Sequence, residues 1–587
     1  MANDLTVEVA KQILAEYQRY TDSFLSLTLR ARDRFEKSDW QGRFADALER
    51  YDLYEASLDA TALRLRHLLG AEESSRLSVW KEIKGKFHKL VAKRHDAELA
   101  ETYYNSVTRK LLWTVGLDRE IEFFHQESKP CPVPLDEAIV TVYPYEYDTS
   151  RIISAILRDL GYSIPFEDLD GDAARVANEI DLFVWPLTRY QSISSIQILK
   201  CPFYRNKVAY VVGRILAGDH VIPLVLPLYN GQGEIYVDTV LLSEAEVSRV
   251  FSFAFSYFQV ELRRHDVVID FLKSILPHKP VAELYISIGL NKHGKTVLYR
   301  DLHRYVHVSK EKFQIAPGRE GAVMIAFTLP DYDFVLKIIK DQPCFLRTAD
   351  VTPKRNTRAE VMEQYDFVCH RDRVGRLVDT QEFENLRFKK KRFASNLLRE
   401  FEMAASEVVT IERDYVVIKH LYIQRKVIPL PMYLLSETEP ELLRKVILDF
   451  GYFLKDLASV GIFPYDLFNI WNYGVTRRGR VVLFDYDDVQ PLERAHFKNK
   501  PAPRGETEEM QLEEDRITVT GDDFFLEEAD QFSGIPRPLK GIFKAVHSDL
   551  YTLRFWKDMK RRVRRGEQFD ITPYDRGRKF VRHPLPH

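Results

Sequence analysis

From Val7 to about Leu69 apolar residues recur at helical spacing, with Val9, Ile13, Leu14 and Tyr17 in one run and Phe44, Leu48, Tyr51, Tyr54 and Leu58 in another. The pattern predicts two amphipathic helices, broken around Lys37 to Asp39, and so a helical bundle. Between Lys207 and Leu242 the period changes to two: VAYVVGRIL, HVIPLVLPLY and EIYVDTVLL are separated by Ala-Gly-Asp and Asn-Gly-Gln-Gly turns. These segments read as a three-stranded antiparallel meander. Ser243 and Glu246 then have the spacing of a capping box, opening a helix expected to carry Phe251, Phe253, Phe255 and Phe258 as a core stripe.

Near residue 308 the pattern starts afresh. GAVMIAFTL (321–329) and FVLKIIK (334–340) alternate as paired strands around a Pro-Asp-Tyr-Asp turn, preceded by APGREGA (316–322). The two glycines of that turn let backbone amides approach a phosphate, although a plain hairpin turn has the same composition. Lys337 is placed to reach such a phosphate, whereas Lys340 has the opposite strand phase and reads as solvated. A helix over Pro440 to Ser459 gathers Leu443, Val446, Ile447, Phe450, Phe453 and Leu454 on one face, and Gly461 ends it.

The tract that follows, GIFPYDLFNIWNYGVTRRGRVVLFDYDD (461–488), carries the chemistry. Asp466 comes after the helix, Asn469 and Asn472 lie just beyond, and Asp485 ends an apolar strand, in the order of a protein-kinase catalytic loop and metal-binding turn. Asp487 shares the side-chain phase of Asp485 and could share an ion with it. Each carboxylate alone reads as a turn or cap residue. Their order, taken with Lys337, favours ATP phosphotransfer.

Composition narrows the classes. With 587 residues, 45% hydrophobic and 12% aromatic, the chain is globular and long enough for more than one domain. Lys plus Arg number 85 against 87 Asp plus Glu, so no global field favours nucleic acid or an anionic membrane. The longest strongly apolar run, Val221 to Tyr229, contains Pro223 and Pro227 and falls well short of the roughly 20 residues that span a bilayer. The acidic start MANDLTVEVA is unlike a secretory signal, and Cys131, Cys201, Cys344 and Cys369 form no CxxC pair. A cytoplasmic protein is expected.

Three other motifs compete. GLNKHGKT (289–296) matches the Walker A pattern, but Pro280 followed by VAELYISIGL reads as a helix where a P-loop needs a strand. VVLFDYDDV resembles the start of a haloacid-dehalogenase-like phosphotransferase, yet only about a hundred residues remain for that fold. CHRDRVGR (369–376) resembles a cysteine phosphatase loop with its arginine one residue too far, so Cys369 reads as structural. The basic runs 389–392 and 561–565 read as solvated faces, and Arg504 to Asp530 as a mobile acidic surface insertion that could reach a protein substrate.

APGREGAVMIAFTLPDYDFVLKIIKD, RDRVGRLVDTQEFEN, HLYIQRKVIPL and the Gly461 tract, with AELYISIGLNKHGKT, YRNKVAYVVGRI and ETYYNSV upstream, together resemble the bacterial isocitrate dehydrogenase kinase/phosphatase family. The resemblance runs from the first helices to about residue 490. It implies an α+β chain: a mainly helical N-terminal regulatory domain (1–308) with a small antiparallel meander, then a bilobal protein-kinase-like domain (309–587) with an insertion near 490–535. One site would phosphorylate a serine of isocitrate dehydrogenase and also remove that phosphate. Both reactions would need ATP and Mg2+, with Mn2+ as an alternative. AMP or ADP would act as allosteric effector, and the switch would divide flux between the tricarboxylic acid cycle and the glyoxylate bypass. A homodimer is compatible with this reading, and no nucleic-acid or membrane partner is expected.

Carried over by position, the family's ATP-binding loop falls on Ala316, Pro317, Gly318, Arg319, Glu320, Gly321 and Ala322, and its nucleotide lysine on Lys337. The catalytic residues fall on Asp379 and Asp466, and the metal aspartate on Asp485. Asp379 with Glu382 also has the spacing of a helix capping box. Where the family reads FPGDMLFKNFG this chain has FPYDLFNIWNYG, with one extra residue, so the metal amide is Asn472 or Asn469 and the retained aromatic-glycine pair favours Asn472. Without a separate hydrolase motif, phosphate removal would proceed by back-transfer to ADP and then to a water activated by Asp379 or Asp487. The alternative reading, from another functional class, is a nucleotide-sensing pseudokinase scaffold that binds its partner without chemistry.

Overall fold

The computed structural model describes the chain except residues 1, 75, 125–135, 147, 189–191, 253–256, 319, 346–353, 372, 466, 468, 488, 499–522, 527–533 and 583–587. It forms two compact units, one of residues 1–309 with 572–587 and one of residues 310–571. No helix among the described residues is long and apolar enough to cross a membrane.

The first unit begins with the two predicted helices, Ala2–Glu36 and Trp40–Ser74. They break where expected, with Ser38 at φ 52° and the Asp39 carboxylate accepting from Gly42 N at 2.9 Å. Their apolar stripes bury Val9, Ile13, Tyr17, Tyr54 and Leu58 against Trp80, Phe87 and Tyr104 of the next two helices, Leu77–Val91 and Ala97–Leu112. The predicted meander is present as Val208–Ala217, His220–Asn230 and Ile235–Val237, but the sheet is larger. Val140–Pro144, Ile193–Leu199 and Phe203–Arg205 extend it to six antiparallel strands. Both faces are covered, one by helices Thr149–Asp159 and Leu169–Leu187 and the other by His265–Ile275.

The Ser243–Glu246 capping box forms, but its helix is only Glu244–Val250. Phe251 and Phe258 are buried in the core beyond the helix end, and Phe253 and Phe255 lie outside the described residues, so the expected helical stripe is not what buries them. The Walker-like GLNKHGKT sits in a helix-turn-helix, with Val281–Ser287 before it, Gly289 at φ 93° in the turn, and Asn291–Val308 after it. That geometry contains no strand to feed a P-loop.

Residues 572–582 belong by their contacts to this first unit, although the sequence grouped them with the second domain. Tyr574 donates to Asp238 Oδ2 at 2.6 Å, and the Arg582 guanidinium lies 3.6 Å from the centroid of the Tyr236 ring. Phe580 packs on the sheet core.

The second unit opens on a six-stranded antiparallel sheet. Its path is Thr380–Lys389, Tyr415–Arg425, Phe334–Ile339, Met324–Thr328, Gln314–Ile315, with Val409–Ile411 paired to Tyr415–Arg425. Thr380–Lys389 being a strand overturns the capping-box reading of Asp379 and Glu382. Helix Arg358–Arg371 packs on the sheet, with Tyr365 stacked 4.3 Å from Tyr422. The helix Pro440–Ser459 appears with the predicted termini, and Gly461 beyond it adopts φ 75°. Gly451 on this helix leaves room for the His547 ring of helix Arg537–His547, where a Cβ would collide.

His547 is fully buried, with Nε2 donating to Leu448 O at 2.9 Å and Nδ1 without a hydrogen-bond partner among the described residues. Burial, then the charge of Lys455, outweighs the Leu448 bond and the Asp549 and Asp449 charges, pushing the imidazole down to about 4. The native state therefore binds fewer protons than the unfolded chain between pH 6.5 and about 4, and stability is lost as pH falls through that window. His547→Gln keeps a donor for Leu448 O and cannot titrate. The urea midpoint of this variant should fall less than that of the parent between pH 7.5 and about 4.5, and an equal fall would contradict the assignment.

Candidate phosphotransfer site

Lys337 sits on the central strand of the second unit's sheet, in register with Ala326 on one side and Tyr422 on the other. Alternation turns Leu336 and Ile338 to one face and Lys337 to the face shared by Tyr422 and Gln424. Lys337 is 5% exposed, and its ammonium donates to Phe484 O at 2.8 Å and lies 3.6 Å from Asp485 Oδ1. Burying an ammonium is costly unless it is paired and hydrogen-bonded in this way. The sheet thereby delivers the predicted nucleotide lysine to the predicted metal aspartate.

Asp485 arrives from the short strand Val481–Leu483, which pairs antiparallel with Tyr473–Val475. On the other side the chain at 376–378 runs parallel to it: Leu483 N donates to Arg376 O at 2.8 Å and Val378 N to Leu483 O at 3.0 Å. The two segments leave this pairing together, which brings half-buried Asp379 beside the Phe484–Asp485 corner. Gln381 Nε2 donates to Asp379 Oδ1 at 2.7 Å. Gln424, 2% exposed, joins the two segments by donating to Thr380 Oγ1 at 2.7 Å and to Phe484 O at 3.1 Å.

The strand ends at Leu483, so the expected strand phase linking Asp485 and Asp487 does not exist. Both carboxylates nonetheless lie near Tyr365: burial, then the charges of Asp487 and Asp485, hold its phenol well above the usual range. Asn472 ends the single-turn helix Ile470–Asn472, and its carbonyl accepts from Phe484 N at 3.3 Å, next to Asp485. Asn469 spends its side-chain oxygen on Trp471 N at 3.4 Å, capping that turn. Asp466 lies outside the described residues, but its neighbours are placed. Ile462–Pro464 pairs antiparallel with Val489–Pro491, and Leu467 O accepts from the Tyr473 hydroxyl at 2.8 Å.

The predicted ATP loop is a hairpin turn between Gln314–Ile315 and Met324–Thr328, closed by Ala316 N donating to Ala326 O at 2.9 Å. Gly318 has φ 132°, and a Cβ at Gly321 would stand 2.6 Å from Met324 O, so both glycines are required by the backbone. Arg319 lies outside the described residues. Glu320 faces Lys340 at 3.2 Å, and Lys340 also lies 3.6 Å from Glu400. Lys340 is therefore held in a surface ion-pair network rather than free in solvent.

Hydrogen bonding missed at the level of motifs secures the frame. Arg376 donates to Asp449 Oδ2 at 2.7 Å and Oδ1 at 2.9 Å, to Asp456 Oδ2 at 2.8 Å, and to Val481 O at 3.2 Å. Asp449 also accepts from Val481 N at 2.7 Å. Burial disfavours the Arg376 charge, but the two carboxylates outweigh it and hold its pKa above the ordinary value. Asp449 and Asp456 are seven residues apart, two helical turns, on the long helix, and that spacing was the available signal. Committed in this way, Arg376 cannot serve a cysteine phosphatase loop, and Cys369 lies half-buried on helix Arg358–Arg371.

For magnesium, hard oxygen donors are required, commonly one or two carboxylates completed by phosphate and water. The carboxylates of Asp485 and Asp487 with the amide of Asn472 have that chemistry. Among the described residues no three His, Cys, Asp or Glu side chains form a ready cage.

Comparison with known families adds independent findings. Residues 10–310 match the model of the isocitrate dehydrogenase kinase/phosphatase (AceK) regulatory domain, and residues 311–576 match that of its kinase domain. A protein named isocitrate dehydrogenase kinase/phosphatase from Anaeromyxobacter sp. (strain Fw109-5) is 39% identical over 582 residues, covering 99% of both chains. One of the same name from Anaeromyxobacter dehalogenans (strain 2CP-C) is 38% identical over 98% of both. Another from Polaromonas sp. (strain JS666 / ATCC BAA-500) is 33% identical over 99% of this chain and 95% of its own.

Removing Arg376 strands two half-buried carboxylates. Arg376→Leu should cost about 3–5 kcal/mol in urea unfolding, and adding Asp449→Asn should restore part of it. A loss below about 1 kcal/mol would show that the clamp is not structural.

Proposed function

The chain belongs to the isocitrate dehydrogenase kinase/phosphatase family, and from that premise we propose that it phosphorylates a serine of isocitrate dehydrogenase with ATP and removes the same phosphate. The observation that carries the proposal is the Lys337–Phe484–Asp485 junction, which brings a buried cation to a carboxylate at a strand end. The sheet with helix Arg358–Arg371 is read as the first lobe of a bilobal kinase-like domain, and the long helix with the Asp485 strand as the second. The unit of residues 1–309 is read as regulatory, responding to AMP or ADP.

In this reading the Ala316–Ala322 loop covers the nucleotide phosphates and Lys337 orients them by charge. Lys337 must exchange part of its hold on Phe484 O for a phosphate oxygen when nucleotide binds. Asp485, Asp487 and Asn472 would hold Mg2+, which when bound supplies positive charge between the phosphates. Asp466 accepts the proton of the substrate serine hydroxyl as it attacks. Asp379, steadied by Gln381, stands beside the same centre and with Asp487 is a candidate to orient water when phosphate is removed by way of ADP. Oxygen and carboxylate chemistry alone serves both directions. A cytoplasmic location and action at the branch to the glyoxylate bypass follow from the substrate.

The test is label transfer from ATP to isocitrate dehydrogenase with Mg2+. Asp466→Ala should lower transfer by roughly 100-fold or more, and Lys337→Ala by a similar factor. No transfer by the parent protein under varied nucleotide conditions would favour the scaffold alternative. Phosphate release from phospho-isocitrate dehydrogenase should require added nucleotide; full release without it would sink the shared site. The insertion Arg504 to Asp530 lies almost wholly outside the described residues, though Asp523–Phe525 within it pairs parallel with His496–Lys498. Exchanging 504–522 should reduce phosphorylation of the protein substrate while sparing ATP hydrolysis, and no effect on the former would remove that segment from recognition.

A further inference from the structure

We propose that the exposed face of helix Leu553–Arg564 is a binding site for a small anion carrying several negative charges. Trp556 and Met559 anchor the opposite face, and Trp556 Nε1 donates to Leu550 O at 2.7 Å. The helical repeat then stacks Lys557, Lys560, Arg561 and Arg564 on one stripe, with Arg565 at its end. These five side chains line a concavity of about 450 Å³. That is ample for a pyrophosphate or a tricarboxylate.

The stripe is poorly neutralised. Glu567 is drawn to Arg562, which lies off the concavity, and binds it through both oxygens at 2.9 and 2.6 Å, while Asp558 stands 4.0 Å from Arg562. Asp558 pairs more closely with Arg561, the one carboxylate contact made by the five among the described residues. Lys560 and Arg564 donate only to backbone carbonyls, Ala495 O at 2.7 Å and Glu493 O at 3.5 Å. Among the described residues the side chains of Lys557 and Arg565 have no hydrogen-bond or ion-pair partner. Burial, then the neighbouring Arg564 charge, holds the Lys560 ammonium below its usual pKa. Like charges at this spacing repel, and a multivalent anion relieves all of them at once. Arginine forks match the paired oxygens of phosphoryl and carboxyl groups, and the site shares that chemistry between the two.

Isothermal titration of the full-length protein at about 0.15 M salt, with pyrophosphate and separately with tricarballylate, tests the site and shows which group it prefers. Pyrophosphate can also enter a nucleotide site, so the variants decide. The triple variant Lys557→Gln, Arg561→Gln, Arg565→Gln should weaken saturable binding at least tenfold, while Lys389→Gln, Lys390→Gln, Lys391→Gln, in the other basic run, should leave it unchanged. Should the triple variant unfold, Lys557→Gln with Arg565→Gln alone, neither having a partner to lose, should still weaken binding severalfold. Unaltered binding in the helix variants, or no saturable binding of either probe by the parent, would overturn the proposal.

Discussion

The carbonyl oxygen of Phe484 is the junction on which the candidate site depends. It accepts from Lys337 on one sheet strand and from Gln424 on the next, so two residues of the sheet grip the peptide unit immediately before Asp485. Burying an ammonium is costly unless it is paired and hydrogen-bonded. Here the carbonyl and the Asp485 carboxylate compensate it, and the same bonds fix where the carboxylate stands. Gln424 carries the coupling one step further through Thr380 to Asp379.

Behind that junction lies a second fastening of a different kind. Arg376 binds two carboxylates of the long helix while its own backbone and that of Val481 tie the Asp379 segment to the Asp485 strand. A desolvated guanidinium with both acids in place is costly to disturb, since removing any member leaves uncompensated charge. Asp379 and Asp485 thus rest on a rigid support, while their own side chains remain partly open. The far side of the long helix is closed by neutral His547, placed against Gly451.

Much of this was legible from the chain. Long amphipathic stripes, paired glycines and an acid-amide-acid tract have short-range causes, and the first helices, the lysine strand and the long helix appear with nearly the expected limits. Two expectations failed. The Phe251 stripe suits a helix that in fact stops at Val250, with Phe251 and Phe258 buried beyond its end, and the Asp379–Glu382 spacing suits a helix cap, yet pairing with Tyr415–Arg425 makes that segment a strand. Tertiary pairing outweighs local propensity when the partner strand is long.

By itself the sequence determined the periodicities, the order of the chemical residues and the family to which the chain belongs. Only the tertiary structure decided that Lys337 meets Phe484 and Asp485, 147 residues ahead in the former case, that Gln424 bridges to Thr380, and that Arg376 finds Asp449 and Asp456. Hydrophobic period depends on neighbours within a turn or two and is written locally. The partner of a buried polar group is whatever donor or acceptor the packing brings within about 3 Å, and no local pattern records it.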